Sequence, residues 1–79
     1  MSKIAEDLAD KLAQDVIEAA EALGDDRLVE QIAQAVGASS PTTEELFRTA
    51  VRVRIAEARA RRILNDRLEK ARVAKLTGD

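Results

Sequence analysis

Several residue types on which protein chemistry depends are missing from this chain of 79 residues, which has no cysteine, histidine, tryptophan or tyrosine. Without cysteine it can form neither a disulfide nor a thiolate zinc site, and without histidine it lacks the most common general base. A nucleophilic hydroxyl would have to be activated by lysine or a carboxylate. We therefore expect a non-catalytic protein that uses no cofactor and no metal ion.

Bulky side chains are also scarce. Apolar residues make up 46% of the chain, yet fifteen residues are alanines and only one, Phe47, is aromatic. Leucine, isoleucine and valine must therefore carry most of the packing. A chain this short has room for one domain, residues 1–79, whose core rarely supplies more than about 5 kcal/mol of net stability. A core this small favours association with a partner.

Long apolar runs are absent, and none approaches the roughly 20 residues of a membrane-spanning helix. The amino-terminal segment MSKIAEDLADKL carries acidic residues every few positions, a pattern that neither signal peptides nor transit peptides show. We therefore expect a cytoplasmic protein with no membrane partner.

Apolar residues recur with the period of an α-helix along most of the chain. A first helix is expected over residues 3–23, where apolar positions follow at steps of three and four, and Gly24 is typical of a residue just past a helix end. A second, shorter helix is expected over residues 26–36, with an aspartate near its start as the cap and Gly37 as its stop.

A long third helix is predicted over residues 42–76, because no glycine or proline interrupts that stretch. It begins either with Ser40 as the cap and Pro41 in the first position, or with Thr42 at the start of a capping box. Asn65 leaves open a break into two helices. The sequence therefore predicts an all-α, three-helix domain, which we expect to form a dimeric helical bundle.

Charge is divided between the two parts of the chain. Residues 1–45 hold three basic and eleven acidic residues, a net charge of −8, whereas residues 46–79 hold ten basic and four acidic residues, a net charge of +6. The overall charge of −2 therefore hides a dipolar molecule. Either the acidic first helix lies near the basic third helix, or one charged surface meets a charged partner.

The segment LVEQIAQAVGASSPTTEEL has apolar Ile32 and Leu46 on either side of Gly37. It resembles the helix-turn-helix of many bacterial DNA-binding proteins, and the resemblance implies a DNA-binding regulator. The arginines that would contact nucleic acid are Arg48, Arg52, Arg59 and Arg62. The segment departs from that pattern at Glu44 and Glu45, which occupy the surface that would need cations for phosphate contacts. A simple corner between two packed helices is the other interpretation.

The third predicted helix is apolar on two faces when its residues are placed at about 100° per position. One stripe, expected to face the first two helices for as far as they reach, contains Leu46, Ala50, Val53, Ala60, Leu64, Leu68 and Ala71. The first helix, of about 20 residues, is too short to cover the distal half of this stripe. The other face carries Phe47, Val51, Ile55 and Ala58, with Arg54 at its rim. Phenylalanine and arginine are enriched in interfaces, so this second face is the predicted interface of a homodimer. The alternative is that the other two helices wrap around it.

These patterns predict a small non-catalytic module for protein–protein interaction or regulation that self-associates through its third helix. A helix-turn-helix DNA-binding regulator is the first alternative. The second alternative is an inhibitor whose acidic surface imitates nucleic acid, formed by Asp7, Asp10, Asp15, Glu18, Glu21, Asp25 and Asp26.

Overall fold

Three α-helices form the computed structural model, which describes residues 3–78. They are α1 (Lys3–Leu23), α2 (Leu28–Ser39) and α3 (Pro41–Leu76), and no strand occurs among the described residues. The predicted all-α, three-helix fold is confirmed. α3 packs against both α1 and α2, which also contact each other.

The turn between α1 and α2 is built around the predicted glycine. Gly24 has a φ angle of 63°, in the left-handed region that favours a residue without a Cβ. The N–H of Asp25 donates to the carbonyl of Ala20 at 3.0 Å and closes the helix end. Asp25 Oδ1 then accepts a hydrogen bond from the N–H of Arg27 at 2.9 Å. Because this turn occupies residues 25–27, α2 begins two positions later than predicted.

Gly37 lies inside α2, and the prediction that it stops the helix is wrong, because α2 continues to Ser39. Gly37 matters because it has no side chain. A Cβ built at Gly37 would lie only 2.0 Å from Oε1 of Glu44, which belongs to the first turns of α3. The missing side chain therefore allows Glu44 to lie directly against α2.

The corner between α2 and α3 consists of Ser40 alone. Ser40 has an extended backbone, its Oγ accepts a hydrogen bond from the N–H of Thr43 at 3.1 Å, and Pro41 occupies the start of α3. The Ser40–Pro41 start is therefore the correct one of the two predicted. α3 runs without interruption for 36 residues, so the break considered at Asn65 does not occur.

The hydrophobic core lies where the three helices meet. Its buried residues are Ala9, Ala13, Val16, Ala33, Phe47 and Val51. Phe47, with 0% of its surface exposed, is the largest of them, and most of the others are alanines. Small residues on α1 and α2 thus leave the space that the single aromatic side chain fills.

α3 extends far beyond this core. It is about 54 Å long at 1.5 Å per residue, close to the 59 Å length of the molecule. The radius of gyration is 17.3 Å, whereas a globular chain of this length has about 12 Å. Every residue from position 55 to position 78 is exposed. Residues 55–76 are called the arm below, and residues 3–54 the body.

Candidate interaction surface on the third helix

The predicted dimer face begins inside the core. Phe47 is 0% exposed and Val51 is 6% exposed, so the single chain already buries both. α1 and α2 wrap around this part of α3, as the alternative interpretation held. Phe47 and Val51 therefore pack within a single chain, and no second copy is needed to cover them.

The remaining residues of that face lie at the edge of the body. Ile55 and Ala58 are exposed and line a groove of about 490 Å³ between α1 and α3. The apolar residue opposite them on α1 is Ile17, and the groove also contains Glu18 and Glu21. The face thus divides into a buried part and a shallow groove with acidic residues on one wall.

Arg54 ties α3 to α1 at the end of this groove. Its Nε donates to Asp10 Oδ1 at 2.7 Å, and its Nη2 donates to Asp10 Oδ2 at 2.9 Å. The hydrogen bonds from Arg54 hold the pKa of Asp10 below its ordinary value. One acidic residue of α1 therefore pairs with one basic residue of α3, consistent with the interpretation that the two helices' opposite charges meet in the fold.

The other apolar stripe of α3 is largely uncovered. Leu46 and Ala50 pack against the core, but Val53 is exposed, as are Leu64 (52%) and Leu68 (60%). The stripe therefore faces α1 and α2 only as far as Ala50. The position of the stripe around the helix explains its exposure. Phe47 and Val51 lie on the side of α3 that faces α1 and α2, and at about 100° per residue the stripe lies roughly 130° away from that side.

We call the uncovered part of this surface the arm stripe. Its members share one side of α3 within about 80° at 100° per residue. They are Val53, Ala60, Leu64, Leu68 and Ala71. Ile63, which is also exposed, flanks them. From Ala60 to Ala71 the arm stripe is thus an apolar surface that nothing in the described chain covers.

The arm as a whole is strongly basic. The arm has seven basic and three acidic residues, a net charge of +4. Each acidic residue pairs along the helix: Glu57 with Arg61 at 2.6 Å, Asp66 with Lys70 at 3.3 Å, and Glu69 with Arg72. Such pairs support an exposed helix by a few tenths of a kcal/mol each. Within residues 3–78, the arm cations without a carboxylate partner are Arg59, Arg62, Arg67 and Lys75.

Arg48, the first of the predicted DNA-contacting arginines, is held by carboxylates. Its Nη1 and Nη2 donate to Glu30 at 2.8 and 2.9 Å, and its Nε donates to Glu44 at 2.8 Å. The hydrogen bonds from Arg48, followed by one from Gln34, lower the pKa of Glu30 to about 2. Only 26% of the Arg48 side chain is exposed. Arg48 therefore joins α2 to α3 and does not point into solvent.

The other three arginines of that prediction are exposed along α3. Arg52 has a side-chain contact to Thr49 Oγ1 at 3.5 Å, and Arg59 and Arg62 lie on the arm. Of the four arginines predicted to contact DNA, Arg48 is thus held by carboxylates, whereas the other three are exposed.

The predicted acidic surface is only partly free. Asp7 pairs with Lys3 at 3.1 Å, Asp15 pairs with Lys11 at 2.9 Å, and the carboxylates of Asp10 and Asp25 are bonded as described above. Glu18 and Glu21 line the groove, and Asp26 is exposed in the turn after α1. These seven acidic residues therefore do not form one unpaired patch.

The accessible surface is large for the size of the chain. It measures 6144 Å², whereas a compact monomer of 8.6 kDa exposes about 4,700 Å². The surplus of about 1,400 Å² reflects the projecting arm. The sequence pattern indicated the arm stripe, with the expectation that the first two helices cover it only for as far as they reach.

None of the helices in residues 3–78 combines the length and hydropathy required to cross a bilayer. No group of three acidic side chains in the same range is placed to hold a metal ion.

No protein family, no curated protein and no solved structure matches this chain.

Proposed function

We propose that this protein is a small non-catalytic interaction module that self-associates through the arm stripe of α3. The observation that carries the proposal is the uncovered apolar side of the arm. Leu64 and Leu68 lie one turn apart and are more than half exposed, with alanines on either side of them. Exposed apolar surface that runs along a helix is typical of a surface that packs against another helix.

The area of exposed surface supports this proposal. A stable interface buries about 800 Å² on each partner. The surplus surface of this chain, about 1,400 Å² relative to a compact monomer, exceeds that amount. An arm paired along its length would bring the exposed area back towards the value expected for a compact protein.

A second copy of the chain is the occupant that we propose. The arm stripe is the same surface on each copy, so a two-fold arrangement buries the apolar stripes of both copies at once. The alanines at positions 60 and 71 are small, which permits the close approach of about 8–10 Å between the axes of packed helices. The proposed interface thus keeps the third helix as its site but replaces Phe47 and Val51 with Leu64 and Leu68.

The test compares two single substitutions at neighbouring positions. Leu64→Glu places a carboxylate in the arm stripe, whereas Asn65→Glu makes the same change in charge about 100° around the helix. We expect light scattering at about 100 μM to give twice the 8.6 kDa chain mass for the wild type and for Asn65→Glu. Leu64→Glu should give the single-chain mass.

Circular dichroism of the same samples separates loss of association from loss of folding. The Leu64→Glu protein should retain the cooperative unfolding of the body, because Leu64 lies outside the core. A wild-type protein that is monomeric at this concentration would contradict the proposal. So would a Leu64→Glu variant that retains the mass of the wild type.

A DNA-binding regulator is a weaker proposal for this chain. Arg48 is engaged by Glu30 and Glu44, and Glu45 is exposed beside the corner. The free arginines of the arm support contacts to phosphate alone, and such binding weakens steeply as salt rises. Sequence-specific DNA binding at about 0.15 M salt, lost in Arg52→Ala, would reverse this ranking.

An inhibitor that imitates nucleic acid is weaker still, because Asp7, Asp10 and Asp15 are each neutralised by a cation of the same chain. Glu18 and Glu21 are the acidic residues of α1 on which that proposal would depend. A target complex that weakens when both are changed to lysine, with the fold intact, would support it.

A further inference from the structure

One charged residue lies in line with the arm stripe towards each of its ends, Glu57 between Val53 and Ala60 and Lys75 after Ala71. The residues on this line follow one another at steps of three or four positions, and the pattern of steps repeats every 11 residues. Because 11 residues make close to three helical turns, the residues stay on one side of a nearly straight helix. In order, the positions are Val53, Glu57, Ala60, Leu64, Leu68, Ala71 and Lys75. Glu57 and Lys75 thus bracket the apolar centre formed by Leu64 and Leu68.

We infer that the two arms pair antiparallel, with Leu64 of each copy against Leu68 of the other and Glu57 of each copy opposite Lys75 of the other. This inference rests on the proposed self-association and adds its direction and register. In this register the two-fold axis passes beside position 66. The apolar positions meet at the centre, and each end carries one pair of opposite charges.

A parallel pairing of the same surfaces lacks this complementarity. It would set Glu57 against Glu57 of the second copy and Lys75 against Lys75. Like charges placed directly opposite each other destabilise a helix pair. Glu57 and Lys75 therefore favour the antiparallel direction.

The charges outside the arm stripe favour the same direction. The body holds six basic and eleven acidic residues, a net charge of −5, and the arm has a net charge of +4. Antiparallel pairing keeps the two acidic bodies at opposite ends of the dimer. It also places the basic end of each arm, with Arg72 and Lys75, near the groove of the other copy that contains Glu18 and Glu21. Parallel pairing would bring the two acidic bodies together.

Spin labels measure the direction of pairing. The chain has no cysteine, so one label can be attached through Asn65→Cys or through Arg52→Cys. Both positions are exposed and lie about 105–115° around α3 from the middle of the arm stripe. In the proposed register the two labels at position 65 are offset by about 3 Å along the helix axes, and those at position 52 by about 42 Å.

The expected result is therefore a label separation at position 52 that exceeds the one at position 65 by about 20 Å or more. Equal short distances at both positions would show parallel pairing, which overturns this inference and leaves self-association intact. A short distance at position 52 but not at position 65 would also overturn the register. The absence of any distance between labels at about 100 μM would contradict the proposed self-association itself.

A charge exchange tests the register independently. Glu57→Lys and Lys75→Glu alone should each weaken dimerisation on the order of two- to tenfold, because each places like charges opposite one another twice in the dimer. The double variant should return to the wild-type dimerisation constant. A double variant that dimerises no better than the single variants would overturn the Glu57–Lys75 pairing.

Discussion

Replacing Phe47 with alanine tests whether the core is organised around this one aromatic side chain. Phe47 is the largest fully buried side chain, and the other five buried residues are three alanines and two valines, which are too small to fill the space it would leave. Truncation of a buried phenylalanine to alanine costs about 3–5 kcal/mol. A chain of 79 residues has a total stability of about 4–12 kcal/mol. Only the body contributes packing, so the lower end of that range applies.

We therefore expect Phe47→Ala to remove most of the stability of the body. The measurement is urea unfolding followed by circular dichroism, at two protein concentrations so that any contribution from self-association is visible. Val73→Ala is the control, because Val73 is an exposed residue of the arm and its truncation should change the free energy of unfolding by less than about 0.5 kcal/mol. A loss below about 1 kcal/mol in Phe47→Ala would refute the role of Phe47 as the centre of the core.

Three further predictions concern α2, its contact with α3, and the arm. Gly37→Ala should remain within about 1 kcal/mol of the wild type in urea unfolding, because the gain in helix propensity offsets displacement of the flexible Glu44 carboxylate. The pKa of Glu30 is about 2 in the folded protein, below its ordinary 4.5, so its pairing stabilises the fold above about pH 4.5 and is lost as the pH falls towards 2. The difference in urea midpoint between wild type and Glu30→Gln should therefore shrink over that interval, and a constant difference would contradict the pairing. In Leu64→Glu, hydrogen exchange should be fast along the arm and slow around Val51, since only the body retains tertiary packing.

The helices and their lengths were accessible from the sequence because they depend on local signals. Apolar periodicity indicated α1 and α2, and the absence of glycine and proline after Pro41 indicated one long α3. The Ser40–Pro41 start was one of two options, and only the backbone geometry separates them. The bounds of α2 were less accurate, because Gly37 makes room for Glu44 of α3, a contact that is not local to α2.

The orientation of α3 could not be obtained in the same way. A helical wheel gives the angles between residues but does not say which side the neighbouring helices cover. Both faces of α3 are apolar on the wheel, and the longer stripe was expected to face the first two helices for as far as they reach. Side-chain volume decides the matter, since the fully buried residues of α1 and α2 are three alanines and one valine, and Phe47 fills the space that they leave. The side of the arm that continues the buried face is polar at Arg62 and Asn65, which is consistent with the end of the body.

The single uninterrupted α3 also makes the molecule a lever. Its fulcrum lies at the core around Val51, and its free end at Leu76 is about 37 Å away along the helix axis. A tilt of about 10° at the core therefore moves the free end sideways by about 6 Å, more than the rise of one helical turn. Because no glycine or proline interrupts the helix between these points, it has no built-in hinge to absorb such a tilt. A small change in packing around Phe47 is thus converted into a large displacement of the surface that we propose meets a second copy.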